Sequence, residues 1–310
     1  MSPDGMWSIG ELAERAGVTV KTVRFYSDRG LLPEAGRSAG GHRRYGPEAL
    51  DRLRLIRSLR ALDLPVPDVG RVLEREEALE DLIAGQLSEL GSRMAALRWR
   101  EASLQLLRDC DPAERADRLR LVGAVTAPPS TAALARFWRS WLPARLPARL
   151  VSAILEEAVP QPPADPSPSQ VLAFARLHDF VSGGCPDRDR YQPAAHRTDL
   201  GYRPAVLYDG LLEAFALAAP DLRAGRAPHA GEALDCFVAA YARSCGARDT
   251  PDFRRRLARE LAADRYIDHY WELTAEVNAP PGSAPEPTPG AAHGWLRAAL
   301  EDRAAPAAAA

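Results

Sequence analysis

Groups that bind phosphate oxygens and base edges are concentrated early in this sequence. Thr19, Lys21, Thr22, Arg24 and Tyr26 fall close together, and Arg37, His42, Arg43 and Tyr45 follow in the segment RSAGGHRRY. A guanidinium grips a guanine edge or a phosphate, while hydroxyl, imidazole and ammonium groups donate single hydrogen bonds to phosphate. Elsewhere chemistry is sparse. The sequence has no GxGxxG, GxxxxGK[ST], HExxH or GxSxG, so phosphate cradles, zinc hydrolysis and the nucleophile elbow are not indicated. Cys110, Cys185, Cys236 and Cys245 are widely separated and suggest neither a disulfide framework nor a zinc knuckle. His178 beside Asp179, and His269 with Glu272, could be acid/base pairs, but isolated histidines on apolar helices are usually core or rim residues. Neither catalysis nor a metal or cofactor is expected.

The elements that would position the phosphate-binding groups can be read locally. Ile9, Leu12, Ala13, Ala16 and Val18 recur at helical spacing, and Gly17 supplies a stop. Thr19 can cap a second helix with Val20, Val23 and Phe25 as its core face. A helix, a tight turn and a second helix form a unit that places the second helix in the DNA major groove. Pro33, Gly36, Gly40 and Gly41 punctuate LLPEAGRSAGGHRRY, which reads as a two-stranded wing with Gly40-Gly41 near its turn. Pro47 opens a third helix with Leu50, Leu53, Ile56, Leu59 and Leu62 inward and Arg52, Arg54, Arg57 and Arg60 on the opposite face. About half of those arginines are expected simply to be solvated. A short fourth helix turns Val69, Val72 and Leu73 inward.

From Glu74 to about Cys110 one long helix is expected, with Leu79, Ile83, Leu87, Leu90, Met94, Leu97 and Leu104 near the 3.5-residue period. At ~1.5 Å per residue it would be about 50 Å long. Its apolar seam needs a partner, either the chain's own C-terminal body or, better, a second copy of itself in an antiparallel coiled coil. Beyond Asp111 the pattern is helical throughout, with helices near 131–141, 148–158, 169–182, 204–218, 230–245, 251–262 and 264–277, a polar loop at 183–203, and a last short helix before a frayed PAAAA tail. The expectation is a mainly α protein: a winged helix-turn-helix domain (1–75), a dimerisation helix (76–111), a helical effector domain (112–296), and a helix end and tail (297–310).

Charge follows the same division. Of 310 residues, the first 75 carry 13 Lys plus Arg against 10 Asp plus Glu, while the whole chain has a net charge of −2. A mildly basic head therefore sits on an acidic body, although the dominance of Arg over Lys also fits a G+C-rich genome. With no signal peptide and no apolar run near ~20 residues, a cytoplasmic, nucleoid-associated protein without membrane contact is expected. Aromatics cluster in the body, and helically spaced rings are usually core. Trp138, Trp141, Phe174, His178, Tyr270 and Trp271 are nevertheless the candidates for lining a small-molecule cleft.

The elements IGELA, AGV, TVRFY, RGLL and GGHRRY, followed by IRSLRALDLPVPDVGRVL, resemble the winged-helix domain of the MerR family of transcription regulators. The resemblance covers roughly the first 75 residues motif by motif and the next helix by character only. One departure is His42, where family members often carry Tyr. The resemblance implies a homodimer bound to double-stranded promoter DNA, with recognition helices and wings on a pseudo-palindromic spacer and Arg57 among secondary backbone contacts. It also implies spacer distortion that aligns promoter elements for RNA polymerase, and a C-terminal domain sensing a small organic effector. In metal-sensing members of that family cysteines near the far end of the dimer helix hold the ion, but Cys110 stands alone here. A drug-sequestering or protein-interaction body with an autoregulatory DNA-binding head is the alternative.

Overall fold

The computed structural model describes residues 5–75, 78–183, 201–263, 266–279 and 287–304. The chain divides into two compact units, Met1–Gly91 and Ser92–Ala310.

The first unit contains β1 (Trp7–Ser8), α1 (Ile9–Ala16), α2 (Val20–Asp28), β2 (Gly36–Arg37), β3 (Arg43–Tyr45), α3 (Pro47–Ala61), α4 (Val66–Glu74) and the start of α5 (Ala78–Asp109). Ser8 opens α1 with a capping box: Glu11 N–H donates to Ser8 Oγ at 3.3 Å, and Ser8 N–H donates to Glu11 Oε2 at 2.7 Å. Gly17, at φ 63°, ends α1 in the left-handed conformation. Thr19 caps α2, its Oγ1 accepting from Thr22 N–H at 3.1 Å.

The expected two-stranded wing forms from β2 and β3, and β1 joins it as a third strand that was not expected. Its sheet has three antiparallel strands in the order β1-β3-β2, with Trp7 opposite Tyr45 and Gly36 opposite Arg44. A two-residue strand has no alternation to reveal it, and β1 forms only because β3 returns alongside. The wing turns at Gly41, φ 76°, whose N–H donates to Ser38 O at 2.8 Å.

Leu12, Val23, Tyr45, Leu53, Ile56 and Val69 are fully buried at the centre of this unit. Three apolar residues expected inside are outside. Val20 and Phe25 are each 41% exposed, and Leu62 is 69% exposed. On α2 the buried set is Val23, Tyr26 and Ser27, within about one turn of each other, which leaves Val20 at the border of the buried side and Phe25 well beyond it. Leu62 caps α3 rather than continuing it.

The long helix is also shorter than expected. Arg75 leaves helical geometry at φ −144°, so α4 and α5 are separate and α5 runs for 32 residues. Leu79 packs against the core of the first unit, which removes it from the expected seam. Ile83, Leu87, Leu90, Met94, Leu97 and Leu104 remain 43–64% exposed.

The second unit is helical: α6 (Arg115–Gly123), α7 (Ala132–Trp141), α8 (Ala148–Ala158), α9 (Pro168–Ser182), α10 (Pro204–Arg223), α11 (Glu232–Ser244), α12 (Pro251–Ala263), α13 (Asp268–Asn278) and α14 (Pro289–Ala304). It holds two cores. One joins Trp99, Ala102 and Leu106 of α5 to α7, α8, α9 and α13, and the other joins α10, α11, α12 and α14. The expected domain limits therefore shift at both ends. The body takes in the last part of α5, and α14 is core rather than helix end, with Ala299 and Leu300 buried. Most of the expected 183–203 loop and the PAAAA tail lie outside the described residues. No helix among the described residues is long and apolar enough to cross a membrane.

Candidate functional sites

The first unit presents α2 as a mixed, outward face. Lys21 and Arg24 are exposed, and neither forms an ion pair among the described residues. Of the other residues chosen from sequence, Thr19 and Thr22 share a 2.9 Å hydroxyl contact that serves the cap. Tyr26 is 9% exposed, packed edge-on to Phe25 with ring centroids 5.2 Å apart.

On the wing, Arg37 and His42 are exposed, Arg37 lying 3.5 Å from Glu34. Arg43 is held between Asp28 at 2.6 Å and Glu34 at 2.7 Å. The hydrogen bond that it donates to Asp28 raises its pKa further, so this arginine ties wing to α2. Tyr45 departs from its expected role as a phosphate donor. It is fully buried, and its hydroxyl meets Ser27 Oγ at 2.9 Å. Strand alternation explains this, because Arg43 and Tyr45 share the inward side of β3. Arg44, on the other face and missed in the sequence, contributes to holding Glu11 below the ordinary carboxylate pKa, after the larger effect of the Ser8 hydrogen bonds.

The arginines of α3 are not simply solvated. Arg57 donates to the Ala16 carbonyl at the end of α1, Arg60 donates to the Leu64 carbonyl, and Arg52 Nε donates to Leu31 O at 2.8 Å. They satisfy carbonyls at helix and loop ends. Arg57 is exposed, but one N–H is committed inside the protein.

A cavity of about 200 Å³ lies in the second unit. Three of the six residues chosen from sequence line it: Trp138, Trp141 and Trp271. Tyr270 sits behind them, fully buried, donating to the Ala158 carbonyl, and burial raises its hydroxyl pKa. Phe174 is core, edge-on to Trp99 at 5.4 Å. His178 is half-buried and 3.4 Å from Ser182 Oγ. Both belong to α9, which packs on α13 and α7 and contributes nothing to the cavity wall.

The remaining rings, Tyr202, Tyr208, Phe215, Tyr241 and Phe253, come from segments that contribute one or two each, so no cluster along the chain marks them. Polar groups are few. Glu157 and the Arg256–Glu260 pair, 3.7 Å apart, line the wall. His293 is half-buried there, and desolvation, aided by Arg297, pushes its pKa down to about 4, so it is neutral near pH 7. Trp138 Nε1 is buried without a hydrogen bond of good geometry despite the nearby Tyr270 hydroxyl. Apolar cavities of about 150 Å³ hold benzene, so this one suits a flat, mostly apolar molecule of one or two rings. Cys110, buried, donates to the Leu107 carbonyl at 3.3 Å. His269 Nδ1 lies 3.3 Å from Glu272 Oε2 on the surface.

Comparison with known proteins bears on the first unit. The profile described as MerR HTH family regulatory protein matches residues 7–76. Nodulation protein NolA of Bradyrhizobium elkanii is 39% identical over 89 residues, which is 29% of this chain and 41% of NolA. The chain thus spans less than half the length of the nodulation proteins it matches. A solved transcription regulator from Ralstonia metallidurans, in complex with lead(II), is 35% identical across 34% of this chain and 89% of its own, with a TM-score of 0.30. An uncharacterised HTH-type transcriptional regulator of Pseudomonas aeruginosa is 36% identical over 118 residues, 36% of this chain and 89% of that protein. Matched at that identity over nearly all of such a relative, and carrying the capped helix pair and wing described above, the chain belongs to the MerR family of DNA-binding transcription regulators.

Proposed function

We propose that this regulator acts as a homodimer that grips a pseudo-palindromic promoter spacer and distorts it for RNA polymerase, in response to a small organic effector held in the aromatic cavity. The observation that carries the reading is the exposed row Ile83, Leu87, Leu90, Met94, Leu97 and Leu104 on α5. Its spacing of four, three, four and three residues, then one whole heptad to Leu104, is the seam of a left-handed coiled coil. Pairing with the same row of a second copy satisfies two-fold symmetry and supplies two recognition helices for two half-sites. Bending and untwisting the spacer costs elastic energy, which contacts from both heads offset. An effector biases this equilibrium only through different affinities for the two dimer geometries. Promoter DNA as target places the protein in the bacterial cytoplasm. Sedimentation equilibrium tests the dimer: the wild type is expected at twice the 33.7 kDa chain mass and Leu90→Asp at that mass itself. A Leu90→Asp protein that keeps the wild-type mass rejects the coiled coil.

A further inference from the structure

We infer that α2 reads thymine through Val20 and Phe25, whose side chains contact C5-methyl groups on either side of the Lys21–Arg24 pair. The inference rests on α2 being the helix that enters the major groove. At 100° per residue, Val20, Arg24, Lys21 and Phe25 occupy, in that order, an arc of about 140°. Val23, Tyr26 and Ser27 are buried on the remaining side, with Ser27 about 20° from Val20, so Val20 stands at the edge of the exposed arc and Phe25 at its far end. Scattered apolar residues on a surface need no explanation. Here, however, two 41%-exposed apolar side chains flank two exposed cationic groups on the face that meets DNA.

Phe25 is also held in place. Arg29 Cζ lies 3.7 Å from its ring centroid, and Tyr26 meets its edge. A guanidinium over one face fixes the ring and leaves its remaining surface for contact, so little rotamer freedom is lost on binding. In the major groove the apolar feature a base pair presents is the thymine methyl; the other positions are donors and acceptors. An apolar side chain against those would strip their water without replacing the hydrogen bonds, so both residues discriminate as well as attract.

The test uses the full chain and a site selected from a randomised duplex library. Each thymine is replaced singly by uracil, which removes only the methyl, and affinity is measured at constant salt. At one or more thymines per half-site the expected loss is about fourfold, corresponding to about 0.8 kcal/mol for one buried methyl group, and about sixteenfold when both half-sites are changed. In Val20→Ala and Phe25→Ala, both at exposed positions, sensitivity should vanish at the thymine each residue contacts. A selected site at which every uracil substitution is neutral overturns the thymine inference and leaves α2 as the recognition helix. Sensitivity that persists unchanged in both variants does the same. Failure to enrich any sequence overturns both.

Discussion

Tyr45→Phe separates the two roles open to an aromatic hydroxyl at the root of the wing. In the structure the ring is fully buried and its hydroxyl meets Ser27 Oγ at 2.9 Å, with Ser27 only 8% exposed. Phe keeps the ring volume, so no cavity opens. What is lost is one neutral hydrogen bond, about 1 kcal/mol net, plus part of the penalty for leaving Ser27 Oγ unpaired. The total should be about 1–2 kcal/mol. Because the bond ties β3 to α2 within a small unit, the thermal midpoint of the DNA-binding head should fall by roughly 4–8 °C per kcal/mol. Ser27→Ala should behave similarly, and the double variant should be no worse than either single, since both remove the same bond. Affinity for a selected DNA site, measured well below the transition, should stay within about twofold of wild type. A tenfold loss of affinity with an unchanged midpoint would place the hydroxyl on a phosphate and refute the reasoning.

Arg24→Ala should cost ~1–3 kcal/mol of specific binding and relax discrimination at one base pair; an equal loss on all sequences would assign Arg24 to the phosphate backbone. His42→Ala, by contrast, should weaken binding uniformly across sequences in competition assays, and a change in base preference would contradict its placement on the wing. His293 makes the second unit acid-sensitive. Its folded pKa of about 4 lies below the unfolded value of ~6.5, so between these values the unfolded chain takes up a proton that the folded protein refuses. Stability is therefore full above pH ~6.5 and falls as pH drops toward 4, by at most about 2 kcal/mol between pH 7 and 5. Denaturant titrations should show this slope reduced in His293→Gln, and identical slopes would mean the ring is not kept neutral by burial.

Features encoded within a few residues were legible without the structure. Gly17 and Thr19 mark the turn between α1 and α2, Pro47 opens α3, and the prolines at 143, 147, 160 and 168 bound α8 and α9. What escaped depends on partners distant in sequence. Trp7–Ser8 is a strand only because Tyr45 and Arg44 lie opposite, and the Tyr45 hydroxyl is buried where it meets Ser27, eighteen residues away. Val20 and Phe25 look like core because apolar residues usually are, yet helical phase gives the inside to Val23 and Tyr26. The cavity was half visible. Trp138 and Trp141 stand together on α7 and Trp271 on α13, while the opposite wall draws its rings from α10, α11 and α12, which no local pattern joins. Phe174 and His178 show the converse, since proximity to aromatics along the chain says little about which face a helix buries.

The most direct test of the central claim is to sequence the fragments this protein selects from its own genome and to map the protected site on the best of them. The account predicts a pseudo-palindrome lying between promoter elements whose spacing is too long for RNA polymerase, with bases near its centre made reactive to structure-sensitive probes when the dimer is bound. A site outside any such spacer, or a spacer bound without distortion, would contradict it.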